Sequence, residues 1–192
     1  MHSNGIGGIH NAGAATLYNS LVNDNESFGA GGISNSGTMT LYNSTVDGNQ
    51  ADSIGGISNN ATMTINNTTV NHNTGHPGGR GIFNSGILTI NYSTIRDNIG
   101  SEWGGGIFNS ATLTINNSTI SGNVSNEGGG IFNVDTLNLK NSTVTENVAQ
   151  DCGGGIVNAG SAGECRWWNL DNPPVSNLSN SIVAGNVGLY GN

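Results

Sequence analysis

Apolar and polar residues alternate along this chain in short bursts, and the bursts recur at a fixed interval. A Gly-Ile step marks each recurrence, with isoleucines at Ile9, Ile33, Ile57, Ile82, Ile107, Ile131 and Ile156, spaced 24, 24, 25, 25, 24 and 25 residues apart. An Asn follows two positions after each (Asn11, Asn35, Asn59, Asn84, Asn109, Asn133, Asn158). Then comes an alternating segment such as Thr38-Met39-Thr40-Leu41 or Thr112-Leu113-Thr114-Ile115, followed by Asn-Ser-Thr-Val or a close variant. Each unit closes on a second Asn: Asn25, Asn49, Asn73, Asn98, Asn123, Asn147 or Asn186. Period-two alternation puts Met39 and Leu41 on one face and Thr38 and Thr40 on the other, which predicts a half-buried strand and excludes helix.

One unit holds too few apolar side chains (Ile33, Met39, Leu41, Val46) to form a core, so neighbouring units must stack to bury them. A coil of 24–25 residues suits three short strands joined by bends, each pairing in parallel with its equivalent one coil away. The expected fold is all-β: a single-stranded parallel β-helix of about seven coils, one domain over residues 1–192. Seven coils at roughly 4.8 Å each make a rod about 30 Å long. The last coil spans 148–186 and carries an insertion at about 161–176. Asn35, Asn59, Asn84, Asn109 and Asn133 share the inward parity of the isoleucines. Asn49, Asn73, Asn98, Asn123 and Asn147 fall where the coil bends, a place for left-handed backbone. Both columns are expected to be structural ladders of amide hydrogen bonds.

Composition supports order through repetition. Only 8% of the 192 residues are charged, 32 are Gly and 3 are Pro, so polarity comes from Asn, Ser and Thr. The net charge is −8, and Arg80, Arg96, Lys140 and Arg166 form no basic stripe, which argues against nucleic acid as a partner. No apolar run is long enough to enter a bilayer directly. Met1-His2-Ser3-Asn4 lacks the features of a signal peptide, so an export signal is expected to lie outside this chain.

The pattern resembles the right-handed parallel β-helix repeats of bacterial surface and secreted proteins. Gly104-Gly105-Gly106-Ile107-Phe108-Asn109 followed by Thr112-Leu113-Thr114-Ile115-Asn116-Asn117-Ser118-Thr119-Ile120-Ser121-Gly122-Asn123 carries the likeness. It is also similar to the Gly-Gly-x-Ile repeats of polymorphic outer-membrane proteins, and Asn180-Ser181-Ile182-Val183-Ala184-Gly185-Asn186 is similar to the final coil of such arrays. The resemblance implies a right-handed helix of the pectin-lyase-like kind and an extracellular or cell-surface setting. Adhesive and structural roles are found in that family, and so is polysaccharide cleavage.

Pectin-cleaving relatives are expected to cluster carboxylates with a basic residue or calcium. Here Asp24, Asp47, Asp52, Asp97, Glu102, Glu127, Asp135, Glu146 and Asp151 are scattered over different coil positions. The nearest constellation is Arg96-Asp97 with Glu102, and a solvated turn explains it. His2, His10, His72 and His76 lack metal-ligand spacing, although His72 and His76 share a turn. No nucleophile elbow or phosphate loop is present. The expectation is therefore no enzyme, no catalytic residue, no metal and no cofactor.

Surface features are left to carry function. The residue after each core Ile reads Phe83, Phe108, Phe132 and Val157 over successive coils, and its parity predicts an outward apolar stripe, for protein contact, for stacking on carbohydrate, or covered by its own loops. Thr38/Thr40, Thr62/Thr64 and Thr112/Thr114 form a partial Thr-x-Thr array, interrupted by Ile87 and Asn138. That array resembles those of ice-binding solenoids, while Thr also suits any exposed strand. Asn-x-Ser/Thr sequons at Asn43, Asn67, Asn91, Asn117, Asn141 and Asn177 coincide with the repeat. Cys152 and Cys165 are candidates for a disulfide across the insertion, which also holds Trp167 and Trp168 as a second contact site. Uncapped terminal coils fit either a segment of a longer protein or self-association through open solenoid ends, with glycans or host and cell-surface proteins as further candidate partners.

Overall fold

The computed structural model describes residues 5–75, 80–159 and 174–189. The repeat becomes three seven-stranded sheets. The first contains the Ile-x-Asn strands from Ile9–Asn11 to Ile156–Asn158. The second contains the alternating strands from Ala14–Tyr18 to Val175–Ser179, and the third runs from Leu21–Asn23 to Ile182–Ala184. Every pairing is parallel and joins equivalents one repeat apart, as in Ile9 with Ile33, Met63 with Leu88 and Val70 with Ile95. The chain is an all-β parallel β-solenoid with seven rungs, and no helix occurs among the described residues.

Three strands per rung is the basic plan, and the bend after the third sheet adds a short fourth strand in most rungs. Glu26–Ser27, Gln50–Ala51 and Thr74–Gly75 form one three-stranded sheet; Val124–Glu127, Val148–Cys152 and Val187–Gly188 form another. Ile99 links the two by isolated bridges to Thr74 and Val124. In the last rung the second-sheet strand starts at Val175, so Val175 and Ser176, expected at the end of the insertion, already belong to the solenoid.

Alternation decides what is buried. Ile33, Met39, Leu41 and Val46 and their equivalents up to Ile131, Leu137, Leu139 and Val144 form one continuous column of fully buried apolar side chains. Stacking removes from water what no single rung could. The glycines before each Ile are required by close approach: a Cβ on Gly106 would stand 2.6 Å from Gly130 O and 2.9 Å from Asn123 Nδ2.

Candidate functional site

The inward Asn column is a ladder. Asn11, Asn35, Asn59, Asn84, Asn109 and Asn133 each donate Nδ2–H to Oδ1 of the next rung's Asn at 2.7–2.8 Å, ending on Asn158. The same Nδ2 groups also donate to backbone carbonyls, as Asn35 does to Gly37 O and to Thr62 O. The bend column is a second ladder. It starts from Asn25, and the Oδ1 atoms of Asn49, Asn73, Asn98, Asn123, Asn147 and Asn186 each accept both the side-chain amide, at 2.8–3.0 Å, and the backbone N–H of the preceding Asn. The left-handed backbone expected at these bend residues lies one position earlier, at Asp24, Gly48, His72, Asp97, Gly122, Glu146 and Gly185. Placing the turn there leaves the Asn side chain free to point inward and bond.

A third ladder escaped the sequence reading. In the Asn-Ser-Thr segment the middle hydroxyls, Ser20, Ser44, Thr68, Ser93, Ser118, Ser142 and Ser181, each donate to the carbonyl two residues back at 2.7–2.9 Å. Each of them after Ser20 also accepts the backbone N–H of its equivalent one rung before. The signal was present as an unbroken Ser/Thr column, but the sequons drew the reading to the Asn instead. Those sequon Asn residues are bend positions in left-handed backbone at Asn43, Asn67, Asn117 and Asn141. With donors and acceptors engaged inside the ladders, the buried amides and hydroxyls have little left for a ligand.

The aromatic column is stacked as expected but not exposed as expected. Phe83, Phe108 and Phe132 lie ring on ring, with centroids 5.6 and 5.7 Å apart. Phe132 is fully buried, and Phe108 and Val157 are only 8% and 9% exposed. They form a second apolar core with Trp103, Val134, Cys152 and Ala159. Arg80 closes it, its guanidinium 4.4 Å from the Phe108 ring centroid and its Nε donating to Trp103 O at 2.9 Å. Burial pushes the Arg80 pKa down to about 10, against the pull of the Glu102 carboxylate, so the cation persists at neutral pH. The outward parity was right, but an outer layer of loops covers that side of the first sheet, so the column offers no exposed contact stripe.

The charge of Glu102 acts on Arg80, and Glu102 makes no ion pair with Arg96, with which the sequence grouped it. Arg96 Nη1 bonds Asp97 at 2.7 Å, while His72 Nδ1 lies 3.0 Å from Asp47 and Nε2 lies 3.9 Å from Asp97. These side chains are about half exposed and line one corner over successive rungs, an ion-pair strip with nothing converging on a common point. No group of three metal-ligating side chains occurs among the described residues. Cys152 is disulfide-bonded. Cys165, Trp167, Trp168 and His76 lie outside the described residues.

No protein-family model, curated protein or solved structure matches this chain.

Proposed function

We propose that this chain is a structural and adhesive β-solenoid that works outside the cell, as a fibre subunit or as a passenger segment of a surface protein of the kind its repeats resemble. The observation that carries the reading is the unbroken stack itself, one buried apolar column flanked by amide and hydroxyl ladders that bond from rung to rung. Leu178 and Val183 have inward parity yet are 50% and 43% exposed, whereas Leu139 and Val144, one rung earlier, are 1% and 0% exposed. The core column ends in open apolar surface, beside strands hydrogen-bonded on one side only.

The ladders give that edge a direction. Each amide donates toward the following rung, so both Asn ladders run in one direction along the axis. Ile9, Ala15 and Leu17, partly buried at the first rung, supply the matching apolar surface. A further rung fits there, whether from additional sequence or from a second copy. A copy joining this way makes a heterologous, non-closing contact, the geometry of a filament. The Cys152 disulfide supports an oxidising, extracellular setting. In this reading the sides of the rod meet glycans or cell-surface proteins, and the chain is not an enzyme.

Light scattering and electron microscopy of the purified chain over a concentration series test the assembly. Rods that lengthen with concentration are expected, and Leu178→Lys is expected to shorten them without loss of the β-type circular dichroism spectrum. Strictly monomeric behaviour at the highest concentrations would defeat the end-to-end reading.

A further inference from the structure

The outer face of the second sheet is used neither by the cores nor by the three ladders. Two of its columns run in register along the axis. Thr16, Thr40, Thr64, Thr89 and Thr114 are unbroken over five rungs. Beside them Thr38, Thr62, Thr112 and Thr136 are interrupted only by Ile87. Of these nine hydroxyls, only that of Thr136 makes a hydrogen bond within the described protein, to Asp135. The other eight are open to water while held at strand spacing.

We propose that this face binds ice. Neighbouring rungs repeat at about 4.8 Å, and Thr-x-Thr side chains repeat at about 6.6 Å along a strand, spacings close to the oxygen repeats of an ice crystal. β-Branching restricts χ1, so stacked threonines present hydroxyl and methyl in a repeated orientation. Waters bridging such hydroxyls form nearly as good hydrogen bonds as direct contacts do. One such water holds little, but a two-column array engages a lattice plane at many points together. The two columns contain no charged residue; the third outward column of the same sheet holds stacked Tyr18 and Tyr42, mutually bonded Asn66, Asn91 and Asn116, and Lys140.

The third sheet supplies an internal control. Thr45, Thr69, Thr94, Thr119 and Thr143 form a column of the same residue type. Its neighbouring outward column holds Asp47 and Arg96, which are engaged in the ion-pair strip. Repetition alone is therefore common to both faces, and the open two-column hydroxyl array belongs to the second sheet.

This inference does not rest on end-to-end assembly, because a monomer presents the same face. The test is the gap between melting and freezing temperatures of a single ice crystal in the purified protein, with crystal shape recorded. The wild-type chain is expected to open a gap and to facet the crystal. Thr89→Tyr, an outward change at the centre of the array, is expected to lose most of the gap; Thr94→Tyr, in the same rung on the third sheet, is expected to keep it. Circular dichroism checks that both variants fold. A wild type with no gap and unfaceted crystals overturns the proposal, as does an equal effect of the two variants.

Discussion

The backbone N–H and the side-chain amide of Asn98 both donate to one oxygen, Oδ1 of Asn123, each at 3.0 Å. Asn98 Nδ2 also reaches back to Val70 O at 3.0 Å, so a single residue ties three rungs together. The oxygen of Asn98 in turn receives both donors of Asn73. All of this is fully buried.

Replacing Asn98 with Leu strands several of those groups at once. At about 1–3 kcal/mol for each unsatisfied buried group, partly relieved by relaxation, the expected loss is about 3–5 kcal/mol. It is read as a lower denaturant midpoint. Asn98→Asp is expected to be pH-dependent in a definite sense. Burial and the facing Oδ1 of Asn123 raise the folded-state pKa of the new carboxyl above its unfolded value. Its stability contribution is then present in acid, where the protonated acid donates, and is lost as pH rises through the folded pKa.

Ser118 tests the hydroxyl ladder. Ser118→Ala removes the donor to Asn116 O and the acceptor for the Ser93 N–H, for an expected cost of about 1–3 kcal/mol in chemical denaturation. Ser118→Thr is expected to recover most of it, because Thr68 already occupies the same column with the same bonds. Equal destabilisation by the two changes would mean that the hydroxyl is not the group that matters.

Two glycines separate close packing from mere repetition. Gly106→Ala drives a methyl group against Gly130 O and Asn123 Nδ2 and is expected to cost about 1–3 kcal/mol. A Cβ on Gly13 meets nothing within 4 Å, and its φ is not in the left-handed region. Gly13→Ala is expected to leave the melting temperature unchanged or to raise it slightly, because it restricts the unfolded chain.

The covered aromatic column makes a prediction opposite to that of an exposed stripe. Phe108→Ser removes a ring stacked between Phe83 and Phe132 and takes from Arg80 the nearer of its two aromatic partners, at an expected cost of about 3–5 kcal/mol. A surface contact residue would lose association and keep its stability. Thermal unfolding followed by circular dichroism distinguishes the two.

The sequence by itself determined the length of the rung, the parity of its strands and the two Asn ladders. The reason is that each of these repeats: a side chain stacked on its own equivalent must recur at the rung interval, and recurrence is visible without coordinates. Ile33, Leu41 and Asn35 could be placed inside, and Asn49 at a bend, on that ground alone. The serine ladder recurred just as regularly, yet what its hydroxyls do depends on a carbonyl and an amide that sequence does not display. Tertiary structure alone decided the fate of Phe108 and Phe132. Alternation states which side of a strand a residue faces, whereas Arg80, Trp103 and Val134, which cover that side, stand at rung positions filled by other residue types in neighbouring rungs, so no recurrence marks them. The left-handed turns at His72 and Asp97 were likewise hidden, because Asn, Asp, Gly, His and Glu all adopt that backbone where stacking of the whole rung enforces it.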